Sequence, residues 1–145
     1  MQQISIALPD GYRSSDVIAF HGRDAEGVAE QVRPGRIRKG VVLDGAPVAL
    51  LHGLHRDLDA RGVEADAALT PRAKALLDDA LLNILGLRID PAPFLKAAQN
   101  DPLLGDAVQR NAGLRIVQSA TIFEALTWAI IGQQINLSFA IALRR

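Results

Sequence analysis

The sequence predicts an α+β fold, in which an antiparallel sheet with one helix is followed by a helical second half. Up to residue 65 the apolar residues tend to alternate with polar ones, and Gly-containing turns separate the runs, which is typical of half-buried strands. From Thr70 onward they recur every three to four positions, as on one face of a helix. A hydrophobic fraction of 49% without any cysteine indicates a globular core and excludes disulfides and cysteine-bound zinc.

The first elements are a strand and a short helix. Residues 4–8 alternate in period two and run into the turn signal Pro9-Asp10-Gly11, which predicts a strand that ends there. Ser14 and Ser15 are expected to cap a short helix that stops at Gly22. That helix places three apolar residues on one face: Val17, Ile18 and Phe20.

The strands of the sheet follow. Apolar runs at 28–32, 36–43 and 47–51 predict three strands, and Asp44-Gly45 between the last two is a strong hairpin signal. Alternation from 55 to 65 predicts another strand. Basic residues are concentrated at Arg33, Arg36, Arg38 and Lys39; on a strand, Arg36 and Arg38 share one face.

The second half is predicted to be helical. Thr70 as N-cap and Pro71 at the first position open a helix that ends at Gly86. Asp-Pro pairs are expected to begin two short helices, 91–99 and 102–109. Thr121-x-x-Glu124 has the form of a capping box. The helix behind it has an apolar face, made by Ile122, Phe123, Leu126, Ala129 and Ile130.

Gly132-Gln133-Gln134 interrupts this helical pattern before a last apolar segment, 135–145. The motif can form a tight polar turn whose side chains project outward. It can also be a simple connection with Gly at the end of one helix and Asn136 or Gln134 capping the next, and the pattern alone favours this second interpretation. The last segment stops in mid-pattern at Arg145, which suggests a truncated chain.

Other candidate sites are weak. The spacing of His52 and His55 invites a metal assignment, but no third ligand accompanies them, so all three histidines, with His21, are expected at the surface or in hairpins. The acidic pairs Asp57/Asp59 and Asp78/Asp79 receive no catalytic role, because paired carboxylates are commonly solvated.

The composition limits the partners and the location of the protein. Basic and acidic side chains balance at 16 each over the whole chain. Residues 1–67 hold 8 basic and 10 acidic side chains and residues 68–145 hold 8 and 6, so neither half is strongly basic. No apolar stretch approaches the roughly 20 residues that span a bilayer, and the amino end has no basic signal-peptide start. We therefore expect a cytoplasmic protein without membrane contact.

One part of the sequence resembles a known family. The runs 113–116 and 123–135, with Ala140 after them, are similar to the start of the central domain of the bacterial 3-methyladenine DNA glycosylase II family, in the helix-hairpin-helix glycosylase superfamily. Phe20, Arg23 and Glu30 keep the spacing of that family's amino-terminal domain, so the resemblance covers essentially all 145 residues.

The resemblance implies three domains. Residues 1–87 would form an α+β amino-terminal domain, in which an antiparallel sheet is flanked by helices. Residues 88–118 would belong to a helical domain that the carboxyl end of a longer chain completes. Residues 119–145 would open the central, all-α helix-hairpin-helix glycosylase domain.

The resemblance also implies a function. The family excises alkylated bases from double-stranded DNA by flipping them out of the stack, and needs neither a metal nor a nucleotide cofactor. Gln134 matches the residue that wedges into the duplex at the vacated position, with Gln133 and Gly132 supporting the turn. Phe20 falls where an aromatic residue lines the base pocket, suited to stacking on a cationic alkylpurine. Trp128 is expected to be packed rather than stacked on a base.

Two parts of the family's machinery have no counterpart in residues 1–145: the Gly-rich hairpin that holds the DNA backbone and the catalytic Asp behind it. The resemblance implies that both lie downstream of Arg145, so no residue of this sequence is assigned a catalytic role. We therefore expect the chain as given to be inactive, and its last apolar helices to self-associate. The alternative is a complete, non-catalytic DNA-binding or interaction module on the same scaffold.

Overall fold

The computed structural model describes residues 2–24, 27, 29–53, 61–65, 68–133 and 135–143. The described part of the chain is an α+β fold, as the sequence predicts. Its elements are β1 Gln2–Ile6, α1 Ser14–His21, β2 Glu30–Arg33, β3 Arg36–Leu43, β4 Ala46–Gly53, β5 Arg61–Ala65, α2 Pro71–Ile84, α3 Ala92–Ala98, α4 Gly105–Arg110, α5 Ile122–Ile131 and α6 Leu137–Leu143.

The five strands form one antiparallel sheet in the order β1-β5-β4-β3-β2. The predicted hairpin between β3 and β4 is confirmed, since Leu43 pairs with Ala46 across a two-residue turn. Asp44 and Gly45 have φ values of 51° and 76°. These positive angles are those of the turn that matches the twist of a hairpin.

Burial alternates along β3, with every second residue facing the core. The inward Val41 and Leu43 pack with α2. Arg36 and Arg38 share one face of the strand, as predicted, and this is the outer, exposed face. The main core lies between the sheet and α2; its buried members are Val41, Leu43, Val48, Leu50, Ala73, Leu77, Ala80, Leu81, Ile84 and Ala120. A second, smaller cluster joins α1 to the sheet through Val17, Ile37 and Leu85.

The ends of the helices test the predicted caps. Thr70 caps α2, where its hydroxyl accepts a hydrogen bond from the amide of Ala73 at 3.0 Å. The predicted serine cap of α1 is wrong: the N-cap is Arg13, and no side chain caps this end. Arg13 instead pairs with Asp16 at 2.8 Å, which places a carboxylate in the first turn, where the helix dipole favours it.

The two short helices begin differently from one another. The Asp90 carboxylate accepts a hydrogen bond from the amide of Ala92, at the start of α3. α4 starts three residues later than predicted, because the Asp101 carboxylate accepts hydrogen bonds from the amides of Leu103 and Leu104 and holds a turn there.

The capping box at the start of α5 is present in a modified form. Thr121 accepts a hydrogen bond from the amide of Glu124 at 3.1 Å. The Glu124 carboxylate reaches one residue further back than in the standard box and accepts from the amide of Ala120 at 2.9 Å. The second oxygen of this carboxylate is thereby left for a distant partner.

The apolar face of α5 does not enter a core. Ile122 and Phe123 are 80% and 81% exposed, and Ile130 is 68% exposed. Phe139 and Leu143 on α6 are also more than half exposed. Despite this apolar surface, no helix among the described residues is long and apolar enough to cross a membrane.

Candidate functional site

A cleft of about 360 Å³ lies where α1, the β2–β3 pair and α5 meet. This volume is at the lower end of the range of about 300–1,000 Å³ typical of small-molecule sites. Its walls combine charged, amide and aromatic groups: Phe20, His21, Arg23, Glu30, Lys39, Val117, Gln118, Ser119, Glu124, Trp128 and Leu137. A larger groove of about 920 Å³ between β3–β4 and α5 is mostly apolar and has Glu124 as its one ionisable group among the described residues.

Glu30 is the centre of the polar side of the cleft. One of its carboxylate oxygens lies 3.0 Å from Nδ1 of His21, and the other accepts a hydrogen bond from Nζ of Lys39. Its side chain is 11% exposed. Two cationic or donor groups therefore converge on one carboxylate that water barely reaches.

This environment changes the acidity of Glu30. Burial by itself raises the pKa of the carboxyl group, but the hydrogen bond from His21 and the charge and hydrogen bond of Lys39 outweigh it and lower the pKa to about 2. Glu30 is therefore ionised over the whole physiological range.

His21 is held between two acceptors. Nδ1 lies 3.0 Å from the ionised Glu30 carboxylate, and Nε2 lies 3.1 Å from the carbonyl oxygen of Ile84. Both partners can only accept, so a ring N–H on either side has a partner to donate to. The expected surface position of this residue is wrong: His21 is 2% exposed, and hydrogen bonding of the ring compensates for burial.

Lys39 carries the network across to α5. Its ammonium group bridges Glu30 and Glu124, with a distance of 2.8 Å to Oε1 of Glu124. Lys39 thus joins two carboxylates, one from β2 and one from α5. Since Glu124 also accepts from the amide of Ala120, this ion network fixes the start of α5 against the sheet.

The aromatic side of the cleft is formed by Phe20 and Trp128, both half-buried. The guanidinium carbon of Arg23 lies 3.7 Å from the centroid of the Phe20 ring and 6.0 Å from that of Trp128. Nε of Arg23 donates to the carbonyl oxygen of Phe20 at 2.7 Å. Flat aromatic and guanidinium surfaces of this kind stack on planar rings.

The structure places the sequence-predicted residues as follows. Phe20 lines the cleft, and so does Trp128, which is only partly packed. Gly132 and Gln133 lie at the far end of α5, whereas Gln134 is outside the described residues. A Cβ at Gly132 would lie 2.8 Å from the carbonyl oxygen of Trp128, so the turn requires glycine.

The end of the chain bears on two further expectations. Asn136 caps α6, where its side-chain oxygen accepts from the amide of Phe139 at 2.9 Å, as the second interpretation of the Gly-Gln-Gln segment expects. The described residues stop at Leu143, so Arg145 is outside them. The catalytic Asp expected downstream of Arg145 therefore stays a prediction.

The remaining sequence candidates lie away from the cleft. Asp79 is exposed and pairs with Arg88 at 2.7 Å. Asp57, Asp59 and His55 are outside the described residues, as is the side chain of His52. Among the described residues, no group of three or more histidines and acids is arranged to hold a metal ion.

Sequence reasoning missed the roles of Lys39 and Glu124. The sequence did contain an indication for Lys39. In the alternating pattern of β3, this residue falls on the same, inward-facing side of the strand as Ile37 and Val41. A lysine at such a position needs a buried carboxylate. No local pattern identifies Glu124, 85 positions later, as that partner.

Two glycosylases are among the known proteins that resemble this chain. A segment of 56 residues is 45% identical to the DNA-3-methyladenine glycosylase of Bacillus subtilis (strain 168), and covers 39% of this chain and 18% of that protein. The fold matches the 3-methyladenine DNA glycosylase from Archaeoglobus fulgidus with a TM-score of 0.75 and 24% identity, over 97% of this chain and 47% of that one. The resemblance is to 3-methyladenine DNA glycosylases.

This finding confirms the resemblance seen in the sequence and the α+β class of the fold. No protein-family model matches the chain. The chain spans about half the length of the solved glycosylase.

Proposed function

We propose that this chain is the amino-terminal part of a DNA glycosylase that excises alkylated bases from double-stranded DNA by hydrolysis of the N-glycosidic bond, as a step of base-excision repair in the cytoplasm. One observation carries the proposal. The cleft with Phe20 and Trp128 lies beside α5, and the far end of the same helix carries the Gly132-Gln133 turn. A base-sized site and a turn able to enter DNA are thereby held by one helix.

In this proposal, residues 1–87 form the α+β domain and residues 88–118 form the first part of a helical domain. Residues 119–145 open the helix-hairpin-helix domain. The flipped base enters the cleft and stacks on Phe20. Gln134 fills the vacated position in the duplex, where its amide can donate to and accept from the orphaned base. Gln133 and Gly132 support the turn.

The chemistry requires stabilisation of a cation-like sugar, for which a carboxylate facing the DNA is needed. In the cleft, Glu30 and Glu124 are engaged by His21, Lys39 and the amide of Ala120. Their charge is therefore used to hold the structure together.

The proposal assigns the catalytic carboxylate to an Asp downstream of Arg145, in the part of the parent protein that follows this sequence. Residues 1–145 accordingly bind damaged DNA without cleaving it. Neither a metal nor a nucleotide cofactor takes part in the proposed reaction.

The test is binding to a duplex that contains a stable abasic-site analogue, which presents the vacated position without any chemistry. The 145-residue protein is expected to prefer this duplex over an undamaged one, and Gln134→Ala is expected to remove the preference. Gln109→Ala, an exposed position on α4, serves as the control. Equal affinity of the wild type for both duplexes would contradict the wedge, and abasic-site formation above a protein-free control on alkylated DNA would contradict the lack of cleavage.

A second candidate function is a non-catalytic interaction module. It is favoured by the exposed apolar surface of α5 and α6, hereafter the apolar face, which consists of Ile122, Phe123, Leu126, Ile130, Leu137, Phe139 and Leu143. Contiguous apolar surfaces of this kind mark protein contacts. A module of this type would bind through the apolar face and would show no preference for the abasic duplex.

A further inference from the structure

The outer face of the β2–β3 hairpin carries exposed arginines. In the antiparallel register, Arg33 lies opposite Arg36 across the Pro34-Gly35 turn, and Gln31 lies opposite Arg38. Directly opposed residues project from the same face of an antiparallel pair, and these side chains are all exposed. The surface formed by Arg33, Arg36 and Arg38 is hereafter the arginine face.

The positive charge of the arginine face is not balanced within the described structure. None of its arginines forms an ion pair with a carboxylate of the described residues, in contrast to the arginines of α2 and α4. The neighbouring outward positions on β2, β3 and β4 are uncharged: Gln31, Gly40, Val42, Pro47 and Ala49. Because the whole chain has 16 basic and 16 acidic side chains, this face is a local concentration of charge.

This arrangement is unfavourable for folding. Like charges directly opposite each other on neighbouring strands destabilise a sheet. The Cα atoms of such a pair, here Arg33 and Arg36, lie only about 4.5–5.5 Å apart. A bound anion removes this repulsion, so the arginine face is better suited to binding than to supporting the fold.

The arginine face fits the phosphate backbone of DNA. Guanidinium groups are planar donors that bind phosphate oxygens in pairs. Arg36 and Arg38 are two residues apart on β3, or roughly 6.8 Å along the strand, so they can contact successive phosphates. β2 is an edge strand of the sheet, and a two-stranded ribbon of this kind is narrow enough to lie along a duplex.

The arginine face and the cleft lie on opposite sides of β3. Side chains alternate along a strand, and the burial pattern of β3 sets Lys39 inward and Arg38 outward. Lys39 lines the cleft. The arginine face therefore stays open when a base occupies the cleft.

We propose that the arginine face is a second, lesion-independent DNA-binding surface, which holds the phosphate backbone of a duplex segment other than the one that presents its base to the cleft. One protein molecule then contacts two segments of DNA, and its hold on undamaged DNA comes from charge. This inference rests on the proposed function, because it takes DNA as the partner. An acidic protein is the other class of partner that this charge fits, and the experiment separates it from DNA.

The first measurement is the salt dependence of binding to a short undamaged duplex. Each phosphate contact that is lost lowers the slope of log Kd against log salt by about 0.9. The triple variant Arg33→Gln, Arg36→Gln, Arg38→Gln is therefore expected to lower the slope by about 2–3 and to weaken binding roughly tenfold or more at about 50 mM salt.

The charge-matched control replaces exposed cations on α2 and α4 by glutamine: Arg72, Lys74 and Arg110. It removes the same total charge and should change the slope by less than about one. Because the triple variant relieves the repulsion between opposed arginines, it is expected to be at least as stable as the wild type.

The abasic duplex used to test the wedge separates the two surfaces. The triple variant is expected to keep the affinity of the wild type for this duplex while it loses affinity for the undamaged one. Gln134→Ala is expected to do the reverse: it lowers the affinity for the abasic duplex and leaves the binding of undamaged DNA and its salt slope unchanged.

The second measurement is simultaneous binding of two duplexes. An immobilised abasic duplex is loaded with protein, and the capture of a labelled undamaged duplex is recorded. Phe123→Ser serves as the background, so that self-association through the apolar face does not link two duplexes. Capture is expected for this background and for the charge-matched control made in it, and is expected to be lost when the three arginines are replaced.

Several results overturn the inference. A triple variant with the salt slope of the wild type does so, as does a wild type that captures no second duplex. Equal loss of affinity for both duplexes assigns the arginines to the lesion-bearing segment instead. Binding of polyglutamate as tight as that of duplex DNA assigns the face to an acidic protein.

The proposed function can fail separately from this inference. A wild type that binds undamaged DNA through the arginine face without preferring the abasic duplex contradicts the wedge and leaves the DNA-binding face in place. Should the triple variant not fold, Arg38→Gln alone decides, since it is expected to lower the salt slope by about 0.9 and an unchanged slope contradicts the inference.

Discussion

Lys39→Met removes the cation that joins the sheet to α5, and its effect on stability follows from the geometry of the ion network. The ammonium group contacts Glu30 and Glu124, whose side chains are only 11% and 14% exposed. Without it, two carboxylates that water barely reaches lose the ammonium group that they share. Removing one member of a buried ion pair costs about 3–5 kcal/mol.

A loss of this size is large for a domain whose free energy of unfolding is about 5–15 kcal/mol. For a chain of this length it lowers the thermal midpoint by roughly 6–20 °C. Because Trp128 is the one tryptophan and sits beside Glu124 in the cleft wall, its fluorescence follows the release of α5 during urea or thermal unfolding. Lys74→Met, at an exposed position on α2, is the matched control and should change stability by less than about 0.5 kcal/mol.

The double variant Lys39→Met with Glu124→Gln distinguishes a charge effect from lost packing. Glu124→Gln removes one of the two stranded carboxylates, so the double variant should be at least as stable as Lys39→Met alone. A Lys39→Met protein within about 1 kcal/mol of the wild type would refute the reasoning. A double variant whose loss of stability equals the sum of the losses of the two single variants would also refute it.

Two further predictions concern pH and association. The pKa of Glu30 falls from its ordinary value of 4.5 to about 2 on folding. The ionised carboxylate therefore contributes about 3 kcal/mol to stability, which is fully present above pH 4.5 and is lost as the pH falls toward 2. The free energy of unfolding measured over this pH range should show the loss, and a Glu30→Gln variant whose stability falls as steeply as that of the wild type would contradict it. The isolated chain is expected to self-associate through the apolar face, and light scattering over a concentration series measures this association. Phe123→Ser should weaken it. A wild-type protein that stays monomeric over the whole series would contradict the prediction.

Local signals predicted the parts of the fold that depend on a few adjacent residues. The Asp44-Gly45 hairpin follows from two residues that tolerate positive φ, and the Thr70 and Thr121 caps follow from a hydroxyl three residues before an amide. The predicted cap of α1 was wrong because it relied only on the general preference of serine for the N-cap position. The adjacent Arg13 and Asp16 instead form an ion pair at that end of the helix.

The candidate site was predicted in part. Phe20 and the Gly132-Gln133 turn were found through their similarity to a glycosylase motif, and the structure sets Phe20 in the cleft wall. The ion network behind Phe20 was missed. Its members come from α1, β2, β3 and α5, and neither period two nor period 3.6 relates positions on different elements.

The sequence by itself determined the α+β order of elements, the hairpin, the main helix caps and the resemblance to a glycosylase, because each of these depends on neighbours in the chain or on a contiguous motif. Only the tertiary structure decided that His21 and Lys39 are buried and that the apolar face of α5 is exposed. Burial of a charge depends on whether an opposite charge from elsewhere in the chain reaches it, and burial of an apolar face depends on whether another surface covers it.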